Sequence, residues 1–308
     1  MEHVAGNVRT HLFIKDSKLG WKLAENSSVR HVEPGKIDVT YETDNNGLRK
    51  INNSEEKSDF SMYFFGDSFT FGHGVNNHET FPAIIKGKHL EKNVNVYNAG
   101  VMGYGIVQMF QRFLMLEDQI QPGDLVIFTP ISNDIKRNQS DFYFPYFIQF
   151  TNVLKLDNFP FFNDGVVTYR KLENNFYNTL KLVAGNARYS GDIYKAVRSK
   201  LIPDTTKETH EMIKIIERKT RLKGAKFVLI FLPKTEECLS GKYAVDISGF
   251  SYIDIMHYFP KEEPELNSLR IAQKDSHWNK RGHEIAAKAI VQTLIKEDII
   301  DKRYVRDN

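Results

Sequence analysis

Apolar residues come in short unbroken runs, and helix-like spacing follows most of them. Ser61-Met62-Tyr63-Phe64-Phe65, Leu125-Val126-Ile127-Phe128 and Phe227-Val228-Leu229-Ile230-Phe231-Leu232 are continuous stretches. Such runs are expected of strands covered on both faces. Val94-Asn95-Val96-Tyr97 and Tyr252-Ile253-Asp254-Ile255 read as shorter strands. Between them, Thr80-Phe81-Pro82 opens a helix, with proline tolerated in its first turn. Ile106, Met109, Phe110, Phe113 and Leu114 fall on one face of a second helix, which Pro122-Gly123-Asp124 ends. A last helix over 282–296 carries Ile285, Ala286, Ala289, Ile290, Thr293 and Leu294 on one face. Strands alternating with helices predict an α/β domain built on a parallel, doubly wound sheet.

Three stretches depart from this rhythm. Residues 1–58 are polar and turn-rich, with Ile37-Asp38-Val39-Thr40-Tyr41 alternating like a half-exposed strand. They are expected to form an N-terminal arm packed on a main domain of residues 59–308, with Trp21 in a packing role. Residues 141–162 hold nine Phe and Tyr residues, from Phe142 to Phe162. They read as an inserted β-hairpin whose arms flank Thr151-Asn152. The insertion either packs on the domain or caps a substrate, because exposed aromatics at this density are a liability. Residues 170–222 look helical and amphipathic, divided by Pro203. No repeat or low-complexity linker calls for a second independent domain.

Composition narrows the function classes. Of 308 residues, 41% are hydrophobic and 26% charged, which is ordinary for a globular protein. The net charge is +3, from 42 basic and 39 acidic residues, too balanced to imply a nucleic-acid partner. Cys238 is the one cysteine, so no intrachain disulfide can form. No apolar stretch is long enough for a transmembrane helix. Residues 1–7 lack the basic and apolar regions of a signal peptide. The expectation is a cytosolic protein, or a cell-envelope protein whose anchor has been removed.

Four stretches can carry chemistry. Gly66-Asp67-Ser68 follows the first long run, and Asn98 to Gly105 follows the second strand. Ser132-Asn133-Asp134 follows the third, and Asp275-Ser276-His277-Trp278 precedes the last helix. Loops after parallel strands share one sheet edge, where α/β folds place their ligands. Gly-Asp-Ser alone is an ordinary turn; the combination is more informative. Attack by a serine needs a base, a group that orients the base, and donors for an oxyanion. Ser68 can be the nucleophile, His277 the base and Asp275 its orienter. Backbone N–H groups of Ser68 and Gly103 and the side-chain amide of Asn133 can supply the oxyanion hole.

In these motifs and their order the chain resembles the SGNH (GDSL-like) hydrolase superfamily, from about Phe64 to the last helix. The four name-giving residues of that family would fall on Ser68, Gly103, Asn133 and His277. The resemblance implies a flavodoxin-like three-layer α/β/α fold. Two spacings depart from the family. Its Gly-x-Asn-Asp is Ile131-Ser132-Asn133-Asp134 here, and its Asp-x-x-His is shortened to Asp275-Ser276-His277. The shorter form followed by Trp278 is similar to the Asp-x-His-Trp motif of SGNH-type alginate O-acetyltransferases. Asp254 and Asp246 stay open as other orienters.

The resulting expectation is a serine esterase acting on short-chain, acetyl-type O-acyl esters through a covalent acyl-enzyme. The alternatives are an O-acyltransferase onto a carbohydrate hydroxyl, and a catalytically silent carbohydrate-binding domain. Trp278 offers a ring for sugar stacking, and His73 can sit near the pocket. The partner is a small-molecule or carbohydrate ester, and no cofactor is expected. His277 with His283 and Asp275 could instead be metal ligands, but beside the closely spaced Asp275 and His277 the sequence shows no clear third ligand, and no metal is expected. Gly66 to Gly74 lacks the Gly-Lys-Ser/Thr ending of a phosphate loop.

Overall fold

The structure is a computed structural model; it describes residues 11–54, 57–137, 158–171, 206–273 and 275–306. Strands β1 (Phe13–Asp16), β2 (Gly20–Leu23), β3 (Ser28–Glu33) and β4 (Ile37–Glu42) come first. The central elements are β5 (Phe60–Gly66), α1 (Ser68–Phe71), α2 (Phe81–Ile84), β6 (Val94–Asn98), α3 (Ile106–Leu116), β7 (Leu125–Thr129) and α4 (Ser132–Lys136). Then come β8 (Asn158–Asn163), β9 (Val166–Lys171), α5 (Thr206–Leu222), β10 (Lys226–Phe231), β11 (Ile253–Asp254), β12 (Arg270–Ala272), β13 (Asp275–Trp278) and α6 (Lys280–Lys296).

Five strands form one sheet in the order β11-β10-β7-β5-β6, and every pairing in it is parallel. Numbered along the chain within the sheet this is the 2-1-3-4-5 order of flavodoxin-like folds, with its switch point between β5 and β7. The runs that read as buried strands are buried on both faces. Alternate residues feed two separate cores: Tyr63, Phe65, Val126, Phe128 and Leu229 on one side, Met62, Phe64, Leu125, Ile127 and Val228 on the other. The first core is closed by α3 and α5, the second by α2 and α6. This is the α/β/α layering.

The polar N-terminal region folds as two antiparallel hairpins, β1–β2 and β3–β4. Their apolar positions join the first core, from Leu12 through Tyr41. Trp21 is fully buried between the rings of Tyr104 and Phe159, and its indole N–H donates to the Met102 carbonyl at 3.1 Å. Arg49 lies over the Tyr41 and Phe71 rings, 4.5 Å from each centroid, and donates to the Val75 carbonyl. The arm is thereby tied to the segment just after Ser68.

A hairpin follows the third strand, but its described arms are β8 and β9, with Asp164-Gly165 at the turn. The turn expected at Thr151-Asn152 and the aromatics before Phe159 lie outside the described residues. Phe159, Phe161 and Phe162 are buried in the first core. Helix α5 takes up the end of the expected helical region; residues 172–205 lie outside the described residues.

Because arm and sheet share one core, Trp21→Ala is expected to lower the stability of the whole unit by about 3–5 kcal/mol. Urea unfolding followed by circular dichroism and by fluorescence should shift as one transition. A separate early transition for the arm would contradict the shared core.

Candidate active site

The site is built at the switch point, where β5 and β7 deliver their loops to the same edge. Gly66 ends β5 where a side chain has no room: a Cβ there would run into the Thr70 hydroxyl, with the Thr129 hydroxyl 2.9 Å away. Those two hydroxyls bond each other at 2.7 Å. Asp67 then caps α1, its Oδ1 accepting the Phe69 N–H at 2.9 Å. Ser68 is the first residue of that helix, so its N–H has no acceptor within the helix.

Ser68 Oγ lies 2.7 Å from His277 Nε2, and His277 Nδ1 lies 2.6 Å from Asp275 Oδ1. The tautomer follows from the partners. A carboxylate only accepts, so Nδ1 carries the proton and Nε2 presents a lone pair to the Ser68 hydroxyl. Burial pushes the Asp275 carboxyl up. The hydrogen bond from the His277 ring, the ring's charge and the His277 backbone N–H outweigh burial and hold it down at about 2. Asp275 is therefore a carboxylate at neutral pH. Ser68 Oγ also stands 3.2 Å from Asp67 Oδ2, but that oxygen is already engaged by Arg137 at 2.9 Å. The shorter path for the hydroxyl proton leads to His277.

Asp275 and His277 sit two apart on β13, which pairs antiparallel with β12 and leads into α6. The fourth stretch therefore reaches the site from a small two-stranded ribbon, and no central strand carries it. Asp254 accepts from the Tyr243 hydroxyl at 2.9 Å and Asp246 from the Ser248 N–H, so both are engaged elsewhere.

Alternation along β13 corrects one expectation. Neighbouring strand residues face opposite sides, so with His277 toward Ser68, Trp278 turns into the second core. Its ring is 1% exposed, stacked on Phe259 at 5.0 Å, with Phe69 and His283 packed edge-on. It cannot stack on a sugar. His283, also buried, accepts the Phe81 N–H on Nδ1 at 3.2 Å and stacks on Phe81. Its place in the packing leaves it no part in a metal site.

Gly103 adopts φ +82°, a left-handed conformation that glycine takes without strain. Asn133 stands in the first turn of α4, and its Oδ1 accepts from Lys234 Nζ at 3.3 Å. That contact turns the amide so that its NH₂ faces away from Lys234. His73 packs against the His277 ring, centroids 4.7 Å apart, with Nδ1 3.2 Å from Met102 Sδ. Burial, then the charges of His277 and His31, push its imidazole down to about 3.

Below the site lies a buried ionic cluster that the sequence did not announce. Arg137 Nη1 donates to Asp67 Oδ2 at 2.9 Å, to the Tyr104 carbonyl at 3.0 Å and to Asp134 Oδ1 at 2.6 Å. Burial and the neighbouring Asp67 carboxylate push Asp134 well above the usual range. Lys234 was also missed. Its signal was available: it follows Leu232-Pro233, at the end of a strand and hence at the same edge.

No protein-family model matches the chain. No curated protein matches it either. Among solved structures it is similar to a member of the lipolytic G-D-S-L family from Veillonella parvula, at 13% identity over 77% of this chain and 99% of that one, TM-score 0.34. It is similar to a Bacillus subtilis protein at 13% identity over 85% and 73%, TM-score 0.45. A lipase/acylhydrolase from Enterococcus faecalis matches at 13% identity over 80% and 98%, TM-score 0.30. These likenesses are distant, and the chemistry rests on the geometry above.

Arg137→Met should leave two carboxyls buried without their cation, at a cost of about 3–5 kcal/mol. A urea midpoint unchanged from wild type would show that the cluster contributes nothing to stability.

Proposed function

We propose that the protein is a serine ester hydrolase, with Ser68 as nucleophile, His277 as general base and Asp275 as the group that orients it. One observation carries this: the unbroken hydrogen-bonded line from Ser68 Oγ through the His277 ring to Asp275. His277 Nε2 takes the hydroxyl proton as Oγ bonds to the acyl carbon. Asp275 stabilises the imidazolium without itself becoming protonated. The carbonyl oxygen becomes an oxyanion, received by the N–H groups of Ser68 and Gly103 and the Asn133 amide. Collapse breaks the bond to the alcohol, which leaves with the proton from Nε2. Water, deprotonated by the same nitrogen, then bonds to the acyl carbon; the bond to Oγ breaks, Nε2 returns the proton to Ser68, and the acid leaves. Lys234 acts as a positioning residue that keeps the Asn133 NH₂ available.

The acyl group on this reading is short, with acetyl the best fit. The His277 and Asp275 side chains retain 23% and 34% of their exposure, which supports a shallow site. A long acyl chain gains about 0.8 kcal/mol for each CH₂ it buries, and a shallow site offers little of that gain. The alcohol is polar, a carbohydrate hydroxyl in the first instance. With Trp278 buried, that assignment rests on the Asp-x-His-Trp spacing alone. The same spacing favours a second reading, in which a sugar hydroxyl replaces water and the acyl group is transferred.

A fluorophosphonate probe should label wild-type protein at Ser68, as mapped by peptide mass spectrometry. Ser68→Ala and His277→Ala should each lower kcat by several orders of magnitude, up to about a million-fold as for other triad knockouts. Near-wild-type turnover in a folded Ser68→Ala protein would refute the assignment.

On p-nitrophenyl esters, kcat/KM should peak at about two to four acyl carbons. A lipid pocket would instead raise it about four-fold per added methylene, from the same 0.8 kcal/mol. Acyl-sugar formed at the expense of free acid, when a sugar is added, would select transfer over hydrolysis.

A further inference from the structure

We propose that His73, Asp275 and His277 form a binding site for a divalent cation of the zinc class, and that the bound cation arrests the activation of Ser68. The arrest rests on the hydrolase reading; the binding does not.

Each of the three residues offers one ligand atom, and these atoms lie within 4.8 Å of one another. Zinc bonds nitrogen and oxygen at about 2.0–2.2 Å, so tetrahedral ligand atoms end roughly 3.4 Å apart. Reaching that spacing requires His73 to move in and the 2.6 Å contact between Asp275 and His277 to open. All three side chains are half-buried, which leaves solvent a route to the fourth position. Two imidazoles and one carboxylate suit zinc and are poor ligands for magnesium or calcium.

His73 is held in the form a ligand needs. Its Nδ1 faces the Met102 sulfur at 3.2 Å, where an N–H donates to the thioether. Nε2 then carries the lone pair, and among the described residues no hydrogen-bond partner meets that nitrogen. Fixing one ring nitrogen so that the other can ligate is the usual work of a metal's outer partners. The sequence offered His283 as a further ligand; the structure puts His73 beside Asp275 and His277.

Ligation at His277 has a definite consequence for protons. The free ring carries its single proton on Nδ1, donated to Asp275. A cation bonded to the Nδ1 lone pair forces that proton onto Nε2. The ring stays neutral, Asp275 stays a carboxylate, and no proton is lost. Nε2–H now faces Ser68 Oγ as a donor and cannot accept the hydroxyl proton. Ligation through Nε2 would occupy the accepting lone pair directly, with the same result.

The test uses full-length protein without a polyhistidine tag. Calorimetric titration with zinc chloride should show one binding event in wild type and in Ser68→Ala. In His73→Ala it should weaken by at least the 10- to 100-fold that loss of an outer partner costs (about that range). If His73→Ala loses its folding transition, His73→Gln takes its place. In parallel, zinc at the binding concentration should suppress p-nitrophenyl acetate hydrolysis by wild type. EDTA should restore it, magnesium should not mimic it, and the His73 variant should keep its own rate. Absence of zinc binding, or equal binding by the His73 variant, overturns the site. Binding that depends on His73 but leaves hydrolysis intact overturns the arrest. Protein that binds zinc through His73 but never hydrolyses ester supports the site while sinking the hydrolase reading.

Discussion

The arrangement of this site depends on where one buried guanidinium reaches. Arg137 bonds Asp67, the Tyr104 carbonyl and Asp134. Each is the chain neighbour of a residue assigned to the chemistry: Ser68, Gly103 and Asn133. Three loops from three different strands are thus referenced to a single planar group. A buried cation with one partner would be a liability, because desolvation is recovered only when its hydrogen bonds are filled. Here two carboxyls and a carbonyl accept from its Nη1, while burial and the Asp67 carboxylate push the Asp134 carboxyl up.

Around that point the strand period divides labour. Alternate side chains of β5, β7 and β10 fill opposite cores, so the sheet is anchored from both faces while its C-terminal edge stays free for loops. The same period on β13 gives His277 to the site and Trp278 to the core. A strand can therefore deliver a reactive group and hold itself in place with the very next residue.

Much of this was legible in the sequence. Unbroken apolar runs marked the sheet, because a strand covered on both faces has no polar side to show. The residues after those runs marked the edge, and Ser68, Asp275 and His277 stand within hydrogen-bonding reach there. Two features were not legible. Arg137 looks like any helix-terminal basic residue until the topology brings Asp67 from 70 positions away. His73 and His277, far apart in the chain, meet only through the fold. Trp278 was read by residue type, although the period-2 rule, applied to its neighbour, would have turned it inward. The N-terminal arm looked polar because its hairpins are half-exposed, so their apolar positions are diluted by alternation.

The pairing of His277 with Trp278 on β13 also bears on how this chain can change over generations. A strand that slips by one residue exchanges its two faces. A single insertion or deletion ahead of His277 within β13 would swing the imidazole into the space beside Phe259 and Phe69 and push the indole into solvent. The histidine would then leave a large void, and the exposed indole would favour aggregation. Errors of this kind disturb the scaffold together with the imidazole, so indels in β13 give no route to a descendant that keeps the scaffold and loses only the His277 ring. Such a descendant would have to arise by substitution at His277 itself.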